Sequence, residues 1–191
     1  MADKASKRAT AEDLAIVKKS PEDIKAEVSV FSFDLPTLKA RVREEDSAQA
    51  FIQAHLYLDH VITRMLSESV PFPNFLKLDR AGLAQKLQLV AAMGLLSPAY
   101  ISPIKVVNSV RNKIAHKLEY AVTSEDEVKL RSSLPKDADK EDDGSASSLH
   151  QVLRLLVVMV DVERQQRAFE RKMRQKAMAN ARVVLDNIQV G

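Results

Sequence analysis

The sequence predicts an all-α protein: an antiparallel four- or five-helix bundle preceded by an extended N-terminal arm and closed by a long C-terminal helix. Composition is the first reason. Only four glycines and seven prolines interrupt 191 residues rich in Ala, Leu, Lys, Arg, Glu and Gln, the strongest helix formers. Periodicity is the second: Phe51, Leu58, Ile62 and Leu66 in one run, and Val107, Val110, Ile114, Leu118 and Ala121 in another, recur at helical spacing. Punctuation is the third. Thr10 through Asp13, Ser20 through Asp23 and Thr123 through Asp126 fit helix-opening caps, and Gly94 followed by Leu95 reads as a glycine C-cap with its apolar follower.

Residues 1–36 read as the arm. Pro21 suits the first turn of a short helix, and Val28 to Phe33 reads as an extended segment laid across the bundle, because a lone strand would have no partner. The bundle, residues 37–162, opens with a helix from about Pro36 to Glu45 and a longer one from about Ser47 to Ser67. Pro71-Phe72-Pro73-Asn74-Phe75 is a rigid aromatic loop, and a helix starting near Asp79 buries Leu83, Leu87 and Val90. Ser97-Pro98 and Ser102-Pro103 are two start signals in quick succession, which predicts a short helix or turn ahead of a helix ending near Ala121.

A charged linker at 136–147 has nothing to bury and reads as a mobile loop. Beyond it, Ser147 or Ser148 caps a pattern continuing to Ile188, with Leu149, Val152, Leu153, Leu156, Met159 and Val160 on a broad apolar face. Unbroken, that helix is about 60 Å long, more than a compact bundle needs. Its second half, the basic extension 163–191, is therefore expected to protrude, bend or pack on another chain, with Phe169, Met173, Ala177, Ala181 and Leu185 as a narrow seam.

With 46% hydrophobic and 29% charged residues, the chain can bury a core without staples. No cysteine is present, which removes disulfides and thiolate metal sites and suits a cytoplasmic location. Residues 1–19 lack the apolar stretch of a secretory signal, and the most hydrophobic run, Val152 to Val162, is too short to span a bilayer, so no membrane partner is expected. A net charge of +3 permits nucleic acid as a partner without demanding it.

Chemistry concentrates in Arg111-Asn112-Lys113-Ile114-Ala115-His116. The helical projection puts Asn108, Asn112, His116 and Glu119 opposite the apolar stripe, so His116 is not a core histidine. Arg111 borders the stripe about 140° from His116, and the two side chains meet only through a flexible arginine stem or a second subunit. On the long preceding helix, His55 and Asp59 lie on or beside the buried face and need partners. Either Asp59 pairs with Arg111 and fixes it, or His55 and Asp59 satisfy one another. His60 and His150 stand alone and read as surface residues; no glycine-rich phosphate loop, metal-ligand spacing or nucleophile signature is present.

An arginine, a polar residue directly after it, three more residues and a histidine, preceded by Gly82-Leu83-Ala84-Gln85-Lys86-Leu87, Ala92-Met93-Gly94-Leu95-Leu96 and Asn108, resemble the HEPN superfamily. The similarity runs from near Ala48 to near Tyr120 and is to the branch that includes the mannitol-operon repressor proteins and several bacterial families. The resemblance implies a HEPN-type helical bundle, a homodimer in which two motifs meet, and a metal-independent endoribonuclease needing no cofactor. In that chemistry the ribose 2′-hydroxyl attacks the adjacent phosphate. His116 would be the general base or acid, Arg111 would hold the phosphate and Asn112 would orient an oxygen or His116. His55 and Asp59 would orient the site, while Lys113, Lys117, Arg167, Arg171, Lys172 and Arg174 would contact nucleic acid.

Two other expectations stand beside this one. Members of that branch also suggest a non-catalytic dimeric module that binds a regulator or antitoxin partner, against the stress, defence or toxin biology implied by a nuclease. A third treats the basic C-terminal helix as a phosphate-binding arm, with a solvated face or coiled-coil extension as its plainer reading.

Overall fold

A computed structural model of the chain describes residues 9–43, 45–135 and 148–190. The expected linker at 136–147 lies outside them. Among the described residues the structure is all-helical: α1 (Ala11–Lys18), α2 (Pro21–Val28), α3 (Leu35–Arg41), α4 (Ser47–Ser69), α5 (Leu83–Ala92), α6 (Pro98–His116), α7 (Ser124–Ser133) and α8 (Leu149–Val190), with one 3₁₀ turn at Pro73–Leu76. None of these helices is long and apolar enough to cross a membrane.

Two compact units divide the chain, one formed by Met1–Val30 with Gln165–Gly191 and the other by Phe31–Arg164. The second holds the large core. Phe51, Ala54, Leu58 and Ile62 of α4 are buried with Leu83, Leu87 and Val90 of α5, Ile104, Val107 and Val110 of α6, Leu130 of α7, and Leu153, Val157 and Val160 of α8. These are the residues whose spacing defines the apolar stripes, so burial of one face per helix accounts for the bundle.

Local signals act where they stand. Gly94 takes φ +63°, Gly94 N–H donates to Ala91 O at 3.1 Å and Leu95 N–H to Val90 O at 2.9 Å, the paired bonds of a Schellman cap that ends α5. Thr123 and Ser20 accept from the backbone amides of Asp126 and Asp23, whose carboxylates reach back to the cap residues. At Ser97 the same chemistry starts α6, and Pro98 fits its first turn.

Five expectations are corrected. The caps at Thr10 and Ser20 do open helices, α1 and α2, but the segment between α2 and α3 is a short bent loop and not an extended one. Pro103 does not start a new helix: α6 runs through it, giving up one backbone hydrogen bond while the ring is buried in the core. The aromatic loop continues to Gly82, so α5 begins at Leu83, where Gln85 caps Gly82 N–H. Helix α6 ends at His116, leaving Leu118 102% exposed instead of buried in the stripe. His150, read as a surface residue, is buried at 7% exposure.

In the other unit, the second half of α8 packs on the N-terminal helices of its own chain. Arg182 Nη1 lies 3.0 Å from Asp13 Oδ1, Lys172 Nζ lies 2.6 Å from Glu27 Oε2, and Asp186 accepts from Ala9 N–H. Ala168 and Ala179 are buried there while Ala177, Ala181 and Leu185 are exposed, so the covered stripe is not the expected seam. Charge explains the difference: α1 and α2 offer carboxylates, and the face of α8 with basic stems and small alanines meets them.

Candidate functional site

Helix α6 lies against α4, with His55 Nε2–H donating to Asn108 Oδ1 at 3.2 Å in mid-helix. Tyr100, at the start of α6, is in electrostatic reach of Glu163, whose neighbour Arg164 pairs with Glu68 at the C-terminal end of α4. The two helices are therefore antiparallel, and the motif turns of α6 lie toward the N-terminal turns of α4.

With Ile104, Val107 and Val110 buried, the opposite face of α6 is the one that meets solvent. Lys105, Asn112 and His116 are exposed there along the helix, and Asn108, expected on the same side, is half-buried between that line and the core, where it meets His55. Asn112 and His116 are exposed; His116 is the last helical residue. Arg111 is half-buried at the edge of that face, and its Nη1 donates to Asn112 Oδ1 at 3.3 Å. Asn112 thus draws the guanidinium from the stripe border toward the side where His116 stands. Because Asn112 and His116 are four residues apart, their Cβ atoms are about 5–6 Å from each other.

The expected pairing of Asp59 with Arg111 is not what the structure holds. Lys86 Nζ sits 2.8 and 2.9 Å from the two Asp59 carboxylate oxygens. Lys86 is buried and cannot leave its ammonium unpaired, whereas the half-exposed Arg111 keeps access to water, so the lysine takes the carboxylate. Nor do His55 and Asp59 satisfy one another: His55 turns to Asn108. Burial, more than any neighbour, pushes the His55 imidazole below its ordinary range; the Asn108 bond opposes this and the Arg111 charge adds to it. His55 is a neutral donor held inside the bundle.

A second cluster fixes the end of the motif helix. Asp126, 2% exposed, receives Lys113 Nζ at 2.8 Å, the Thr123 hydroxyl at 2.9 Å and the Tyr120 hydroxyl. Burial alone raises this carboxyl, but the bonds from Lys113, Tyr120 and Thr123 together outweigh it and hold it well below the usual carboxylate range. The Tyr120 ring also lies 5.6 Å from Lys113 Nζ. Chain reversal after His116 is what brings Tyr120 to Asp126, and it overrides the helical spacing that pointed on to Ala121.

Of the expected nucleic-acid contacts, Lys117 is exposed and Lys113 is taken by Asp126. Arg167 pairs with Glu170 at 3.1 Å, and Lys172 with Glu27, which Lys172 and Lys19 pull down to about 2. Arg174 Nε donates to Glu170 O at 3.4 Å, and Arg171 is half-buried. Lys105 escaped the sequence reading, although its three- and seven-residue spacing to Asn108 and Asn112 signals the same face. Among the described residues, no three His, Asp or Glu side chains come together as metal ligands would.

Comparison with protein-family models, with characterised proteins and with solved structures gives no match.

Proposed function

We propose that the chain is a HEPN-like endoribonuclease that cleaves by internal transesterification and works as a homodimer. One observation carries this reading: the bond from Arg111 to Asn112 directs a guanidinium without a carboxylate partner among the described residues toward the solvent face that ends in His116. A cation, an amide and an imidazole along one exposed strip are what a ribose–phosphate target requires. The imidazole takes the 2′-hydroxyl proton as O2′ attacks phosphorus; the P–O5′ bond breaks, and the departing oxygen receives a proton. A 2′,3′-cyclic phosphate and a 5′-hydroxyl remain. Arg111 stabilises the extra negative charge on phosphorus, and in a dimer two imidazoles divide the base and acid roles.

Purified protein should cut single-stranded RNA in EDTA and leave cyclic-phosphate ends. Intact RNA with a folded dimer rejects the enzyme. A non-catalytic dimeric module that binds a regulatory or antitoxin protein is the second reading, in which the exposed Leu118 beside the motif would lie in the interface. Defence or toxin biology follows the first reading and transcriptional regulation the second.

A further inference from the structure

A groove of about 350 Å³ runs between α5 and α6, bordered by Leu83, Leu87, Ala91 and Ile101 and reaching Lys105 and Asn108 of the polar strip. Its size is near the lower end of the roughly 300–1,000 Å³ of small-molecule sites, room for a nucleobase and its sugar but not for a duplex.

The polar end is oriented. Asn108 Oδ1 is engaged by the buried His55, and the amide nitrogen has no protein acceptor among the described residues. An amide with its oxygen occupied presents donors only. Beside it, Lys105 is exposed and has no carboxylate partner among the described residues. The groove thus combines an apolar floor, N–H donors and a cation at one rim, which fits a flat ring with an acceptor edge attached to a phosphate.

We propose that the α5–α6 groove is a base subsite: it takes one unpaired nucleobase with an acceptor atom of its edge on Asn108 while the attached phosphate lies against Lys105. Uracil, cytosine and guanine offer a carbonyl oxygen and adenine a ring nitrogen to the amide, so the subsite orients a base without selecting among the four. Its place in substrate binding rests on the endoribonuclease reading, whereas mononucleotide binding does not.

The test has two independent arms. In the first, the full chain is titrated with UMP and with AMP while side-chain NMR signals are followed. UMP and AMP are both expected to move the methyl signals of Leu83, Leu87 and Ile101 and the Asn108 amide. Ala84→Phe, a substitution at an exposed groove-lining position, should abolish those shifts with the fold intact. Absence of groove shifts with both nucleotides overturns the subsite even if RNA is cut. In the second arm, cleavage of single-stranded RNA by Ala84→Phe is compared with that by the parent chain: a raised KM supports the subsite, and an unchanged KM refutes it. Groove binding by UMP without any RNA cleavage keeps the subsite and removes the nuclease.

Discussion

Lys113 of α6 and Asp126 of α7 meet at 2.8 Å, with the carboxylate closed off from solvent and the ammonium half-exposed. The pair ties the last turn of the motif helix to the first turn of the next, three residues before His116. Lys113 is thereby an anchor for the site, and its charge is already compensated.

Asp126→Ala should destabilise the protein by about 2–4 kcal/mol, because it strands a lysine, a tyrosine hydroxyl and a helix cap at once. Urea unfolding gives the value; a loss below about 1 kcal/mol contradicts the anchor role. Since the folded carboxyl titrates below its unfolded counterpart, its contribution is complete above about pH 4 and is lost as pH falls further through the folded value. Asp126→Asn should flatten that acid limb.

His55 gives the opposite end of the pH scale its own signature. Its folded imidazole is depressed below the unfolded 6.5, so the unfolded chain binds the proton more readily and stability falls as pH drops from 7 through 6.5 toward the folded value. His55→Gln retains a donor for Asn108 and should remove this slope. A midpoint equally steep in the variant between pH 7 and 5 disproves the assignment.

His116→Ala is expected to lower RNA cleavage by about 10²- to 10⁴-fold and Arg111→Ala by about 10²- to 10³-fold. Because His116 is an exposed helix-terminal residue, its removal should change stability by no more than about 0.5 kcal/mol. Arg111→Lys keeps the charge without the planar fork and should restore only part of the rate. Full activity in His116→Ala would exclude the imidazole from the reaction.

Lys117→Ala should reduce the salt dependence of RNA binding by about 0.7 in log–log slope, the share of one phosphate contact on a single strand. Lys172→Ala should leave the slope nearly unchanged, since Glu27 already neutralises it. The reverse order would return the phosphate contacts to the C-terminal helix.

Wherever a short-range rule sufficed, the fold was legible in the sequence. Gly94, Ser20 and Thr123 act locally, and the stripe of α4 and the first part of that of α6, Val107 and Val110, are buried as their period requires. What was not legible depends on distant partners. Nothing near Asp59 in the chain announces Lys86, 27 residues away, and nothing in the run up to Ala121 announces that Tyr120 will turn back to Asp126. Likewise the face of α8 that becomes covered is chosen by Asp13 and Glu27, more than a hundred residues earlier. The Arg111–Asn112–His116 set was legible as residues; the Asn112 bond that redirects the arginine was not.

From Lys105 to His116, the row of side chains on α6 extends about 16 Å at the rise of an α-helix. A dinucleotide held at one end has little left to grip the other. Binding energy gathered far from the scissile phosphate is what positions it, so clipped substrates forfeit turnover as well as affinity. Under the proposed endoribonuclease reading, the row would act as a ruler that favours open strands several nucleotides long over the fragments left by cutting.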